Sequence, residues 1–178
     1  RVGLFLTPFG IYNVDHGTPT LISIGLPLYV SFGWIPMRQM GLQVFGSFPV
    51  ERWELGYAAT VANGQTDGIL DSSDAKAYGG RLFFRRQGEL RLLLGASAIR
   101  TPYRVDREQF GMDATGAITY SRIRLVENTS LTVGGDGSLD YGPLRVRSEL
   151  VWYQQEYTPG KRDGAVTVEL PDNWVTPQ

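Results

Sequence analysis

The stretch RLFFRRQGELRLLLGASA, residues 81 to 98, alternates apolar with polar side chains on both sides of a Gln-Gly turn. Period two is the signature of a strand with one apolar and one wet face, so this stretch predicts a β-hairpin. The same alternation recurs along the chain. It places on one face Val2, Leu4 and Leu6; Leu42, Val44 and Phe48; Trp53, Leu55, Tyr57, Ala59 and Val61; Tyr78, Leu82 and Phe84; Leu90, Leu92 and Leu94; Leu131, Val133 and Leu139; and Leu144, Val146, Leu150 and Trp152. A last short segment near 165–170 shows Val166, Val168 and Leu170. The opposite faces carry Gln43, Ser47, Glu54, Thr60, Arg81, Arg85, Arg91, Ser97, Asp136, Asp140, Arg145, Arg147 and Glu149. These segments make eight candidate strands, and no stretch has the period of an amphipathic helix. The 22 glycines lean the same way, toward turns and β-structure.

The connections sort by length. FPVER, RRQGE and DYGP are tight turns, whereas the segments around 7–40, 63–76, 99–120 and 158–164 are longer and rich in glycine, proline and acids. Short and long alternate strictly. In an up-and-down meander this puts every tight turn at one rim and every long loop at the other, the layout of transmembrane β-barrels.

Alternation alone does not say which face is inside, because a soluble barrel and a membrane barrel share the period. The strand ends favour the second. Phe48 and Trp53 bracket one tight turn, Tyr141 sits at another, and Trp152, Tyr153 and Tyr157 lie where a strand nears a long loop, as in aromatic girdles at membrane interfaces. Arginines in mid-strand complete the pattern, so the leucines are expected to face lipid and the arginines a watery lumen.

Several function classes fall away. A net charge of -1 lacks the basic excess that nucleic-acid binding requires. The absence of cysteine removes thiolate metal sites, disulfides and cysteine nucleophiles. The longest mostly apolar run, LISIGLPLYV at 21–30, is too short and too interrupted for a spanning helix.

The pieces RVGLFLTPFGIYN, IPMRQMGLQVFG, LGYAATVANG, SDAKAYGGRLFF and GDGSLDYGPLRVRSELVWYQQEY, in this order, resemble bacterial outer-membrane porins of the phosphate-selective porin type. The resemblance covers most of the chain. It implies an antiparallel up-and-down transmembrane β-barrel of about sixteen to eighteen strands in the outer membrane of a Gram-negative bacterium, with loops folded inward. It also implies a homotrimer or membrane complex as the assembly, outer-membrane lipid and small anionic or hydrophilic solutes as partners, and no cofactor. The chain would then supply about half of the barrel. It opens at Arg1 inside a predicted strand and ends in NWVTPQ rather than on the aromatic residue common in such porins, so a fragment or processed chain is expected.

The expected function is therefore a passive diffusion channel, with an outer-membrane barrel of structural or complex-forming role as the alternative. If parity holds, Arg81, Arg91, Arg122, Arg124, Arg145 and Arg147 line the pore together with Glu54 and Glu149. Guanidinium groups stay charged and offer planar donors to oxyanions. Two readings stay open: an anion-attracting row, or arginines paired with Glu54, Asp136, Asp140 and Glu149 that brace the wall. The segment 7–40 carries Phe9, Ile11, Tyr12, Leu21, Ile22, Leu28, Tyr29, Phe32 and Trp34, too apolar for open water, and is expected to fold into the pore.

No catalytic set stands out. His16 beside Asp15 lacks a second histidine or cysteine to complete a metal site and reads as a polar loop residue. Asp67, Asp71 and Asp74 lie close enough for calcium but without EF-hand spacing, so they read as a solvated acidic loop. GGDG at 134–137 has no following lysine or helix start, and its small residues make room for a close neighbour.

Overall fold

The computed structural model describes residues 1–14, 28–64, 75–112 and 118–159, and within these the side chains of 105–112 and 118–125 are not described. Among the described residues, seven strands form one antiparallel sheet: β1 (Val2–Leu6), β2 (Arg38–Val50), β3 (Trp53–Asn63), β4 (Lys76–Arg86), β5 (Leu90–Met112), β6 (Ile118–Tyr141) and β7 (Leu144–Tyr157). Their spatial order is their chain order, a pure meander. The turns at 51–52, 87–89 and 142–143 therefore all lie at one rim, as the loop lengths predict. Among the described residues the sheet is not closed: β1 and β7 are its outer strands, so an all-β antiparallel fold is observed and a closed barrel is not. The segment near 165–170 lies outside the described residues.

Two expectations change. The connection 99–120 is not a long loop, because β5 continues to Met112 and β6 resumes at Ile118, with ladder pairing throughout and one register shift at Val105/Asp106. Pro102 disguised this. It sits just past Arg100, the last β5 residue paired with β4, where its missing N–H removes no bond from a β4 neighbour. The connection expected over 7–40 ends earlier, since β2 begins at Arg38, and it contains two short helices, α1 (Gly10–Val14) and α2 (Leu28–Ser31).

Burial falls on the polar face. Gln43, Thr60, Arg81, Ser97, Thr101, Thr132 and Asp136 are buried, whereas Leu4, Leu42, Val44, Leu55, Leu82, Leu94, Val146 and Trp152 are exposed and Leu150 is 79% exposed. Cross-strand register aligns the two sets: Arg81 opposes Ala58 and Ser97, while Leu82 opposes Tyr57 and Ala96. What covers the polar face is the strap of residues 7–14 and 28–37. Phe9, Tyr29 and Ile35 from the strap and Ile99 from β5 form the buried apolar cluster, with Trp34 and Val151 against it. Among the described residues, the one sizeable core therefore lies between strap and sheet, and the leucine face has no cover.

The strap is seated by a missing side chain. A Cβ on Gly134 would come within 2.7 Å of the Phe9 ring, so the first glycine of GGDG leaves the space the ring occupies. Gly134→Leu is expected to unseat residues 7–14 and expose them to protease while the sheet persists. Limited proteolysis followed by mass spectrometry checks this, and an unchanged cleavage pattern would count against the seat.

Candidate functional site

The polar face concentrates charge on β3 to β7. Arg81 meets Asp136 through two bonds, at 2.5 and 2.6 Å, and their side chains are 7% and 1% exposed. Gly95, between them on β5, allows this approach, because a Cβ there would lie within 2.6 Å of the Arg81 guanidinium and 2.7 Å of the Asp136 carboxylate. Arg85 reaches Glu54 at 3.3 Å, and Asp140 receives Arg145 at 3.0 Å and Arg91 at 3.9 Å. These pairs follow directly from register, since Glu54 opposes Arg85, Asp140 opposes both Arg91 and Arg145, and Arg147 opposes Ser138. The bracing arrangement of arginines with acids is thus present for Arg81, Arg85, Arg91 and Arg145.

Glu149 has another task. Its Oε1 accepts from the backbone N–H of Ile11 and, at 2.9 Å, from that of Tyr12, so a β7 carboxylate holds the start of α1. Gly10 makes this possible: its φ is +65°, and a Cβ would meet the same carboxylate oxygen at 2.5 Å. On the strap's other side, the Gly10 N–H donates to Ser97 Oγ at 3.3 Å, Thr132 Oγ1 donates to the Trp34 carbonyl at 3.2 Å, and Trp34 stacks on Tyr153 with centroids 5.2 Å apart. Burial, and secondarily the Glu149 charge, push the Tyr29 phenol well above the ordinary tyrosine range, so it stays neutral between strap and sheet.

Between α1 and the arginine rows lies a cavity of about 310 Å³ lined by Ile11, Val14, Arg81, Phe83, Arg85, Arg91, Leu93, Asp140 and Arg147, among others. Arg81, Arg91, Arg147 and Asp140 thus line one cavity, and Arg145 and Glu54 connect to it through their ion pairs with Asp140 and Arg85. Arg122 and Arg124 do not join them. Register sets them opposite Glu108 and Asp106, in the part of the β5–β6 ladder that runs past the last pairings with β4 and β7, at Tyr78↔Arg100 and Asn128↔Tyr157.

The sequence reading expected residues 7–40, with Phe9, Ile11 and Tyr12, to fold inward, but it did not find helix α1 or its seat on Glu149, because the donors there are the backbone N–H groups of Ile11 and Tyr12 and leave no mark in a side-chain pattern. His16 and the acidic loop at 67–74 lie outside the described residues. Among the described residues no cluster of three histidine, cysteine or carboxylate side chains could hold a metal, and no helix is long and apolar enough to cross a membrane. No family model, curated protein or solved structure matches the chain.

Proposed function

We propose that this sheet is part of the wall of an outer-membrane β-barrel and that the protein is a porin, a passive channel for small hydrophilic solutes with a modest preference for anions. The supporting observation is the inverted distribution of side chains. A sheet in water hides its leucines, yet here Thr132 is 0% and Asp136 8% exposed, while Leu82 and Leu150 stand open at 61% and 79%. Lipid is the solvent in which that arrangement is stable. Strands β2, β3, β4 and β7, of 13, 11, 11 and 14 residues, are long enough to cross a bilayer when tilted. Aromatics stand at the tight-turn rim, where Trp53 stacks on Phe84 at 4.6 Å with Arg86 over the indole, as expected of an interfacial girdle.

The strap then narrows the lumen. Arg81, Arg85, Arg91, Arg145 and Arg147 face it against Glu54, Asp136, Asp140 and Glu149, five charges against four, so the residual field is positive and small. The full-length protein in a planar bilayer is expected to give stepwise ohmic currents, with a reversal potential in a salt gradient displaced toward that of chloride. Phe9→Ala combined with Trp34→Ala, which removes two anchors of the strap, should raise the conductance of each step. Absence of steps would overturn the porin reading, and an unchanged step size would remove the strap from the solute path.

A further inference from the structure

The cavity under α1 has two unlike walls. One is cationic: the Arg91 side chain is 65% exposed and stands 3.9 Å from Asp140, which Arg145 holds more closely at 3.0 Å, and the Arg85 side chain is 48% exposed. The other is apolar, made of Ile11 and Val14 from α1 with Phe83 and Leu93 from the sheet. Phe83 and Leu93 break the polar pattern of the face they stand on, and Phe83 is set in place by design of its neighbours: its ring occupies the space above Gly56, its register partner, with the Arg85 guanidinium 5.5 Å over it. A water-filled passage for bare inorganic ions gains nothing from a phenyl ring and three aliphatic side chains.

We infer that this cavity binds a small carboxylate carrying a compact apolar body, an arene monocarboxylate in the first place, with the carboxylate on Arg91 and Arg85 and the ring against Phe83, Leu93, Ile11 and Val14. This rests on the porin reading for its place along a solute path, though the binding itself does not. A guanidinium meets a carboxylate in the plane of its fork, and a ring set beside Phe83 replaces water along the apolar wall. A volume of about 310 Å³ is at the small end of ligand clefts, which suits one ring and excludes a long chain. Inorganic phosphate has no apolar body to set against Phe83, Leu93, Ile11 and Val14, so it forgoes half of the site and is the poorer ligand.

The test is calorimetric titration of the full-length protein in detergent micelles with benzoate, acetate and inorganic phosphate. Benzoate should bind at least about tenfold more tightly than acetate or phosphate, the gain from burying one ring. Phe83→Ala should bring benzoate down to the level of acetate, and Arg91→Gln should weaken both carboxylates. If Phe83→Ala does not fold, Leu93→Ala tests the same wall. Phosphate binding as tightly as benzoate, or benzoate indifferent to these substitutions, would overturn the inference. Benzoate should also lower single-channel current in the unsubstituted protein. Benzoate binding without any conductance would sink the porin reading and leave the site, whereas conductance with no benzoate binding would do the reverse.

Discussion

Leu94→Arg should fold into lipid vesicles in far lower yield than Ser47→Arg, although the two substitutions lie at the same height of the sheet. Ser47 pairs with Gly56, Gly56 with Phe83, and Phe83 with Gly95, the residue next to Leu94. The comparison thus isolates the face. Leu94 is 51% exposed on the leucine side, and Ser47 is exposed on the side of the arginines. If the leucine side meets lipid, an arginine there near the bilayer midplane costs about 2 to 4 kcal/mol, a factor of about 30 or more in the folding equilibrium. On the lumen side the same charge remains in water and adds to a surface already rich in guanidinium groups. Were the sheet to stand in water instead, replacing a half-exposed leucine by arginine would change stability by about 0.5 kcal/mol or less. Equal yields, read by protease protection after refolding into vesicles, would therefore defeat the membrane reading.

Period two carries most of what was legible beforehand. Because successive strand residues point to opposite sides, Leu82, Leu94 and Val146 fall together and so do Arg81, Ser97 and Arg147, without any knowledge of the partner strands. The tight turns RRQGE and DYGP fixed neighbours and rim, because a short turn leaves adjacent strands no arrangement but antiparallel. Three things were out of reach. The continuation of β5 through Thr101–Pro102–Tyr103 depends on which side of the strand lacks a neighbour, a property of the sheet and not of the segment. The pairing of Arg81 with Asp136 needs β4 and β6 to sit on either side of β5 with Gly95 between them, so it joins residues 55 positions apart. The seat of α1 on Glu149 joins residues 138 positions apart through a backbone N–H, and backbone donors leave no mark in a side-chain pattern.

Asp136→Ala is expected to destabilise the folded protein by about 3 to 5 kcal/mol, because it leaves the Arg81 guanidinium buried with its bidentate partner gone. Ser97 Oγ, at 3.5 Å from Arg81 Nη1, is a neutral and distant acceptor that cannot replace a carboxylate. The double variant Arg81→Met with Asp136→Leu should cost much less than the sum of the single changes, since it removes both charges and fills the space with apolar groups of similar size. Urea unfolding in micelles measures all three. The same set separates bracing from selectivity: the double variant removes one positive and one negative charge, so its anion preference should match that of the unsubstituted protein, while Arg91→Gln lowers it. A penalty below about 1 kcal/mol for Asp136→Ala would mean that water reaches Arg81 once the carboxylate is gone. Arg81 would then count among the charges that a passing solute meets, and the strap would be a looser cover than its contacts with Ser97, Thr132 and Glu149 describe.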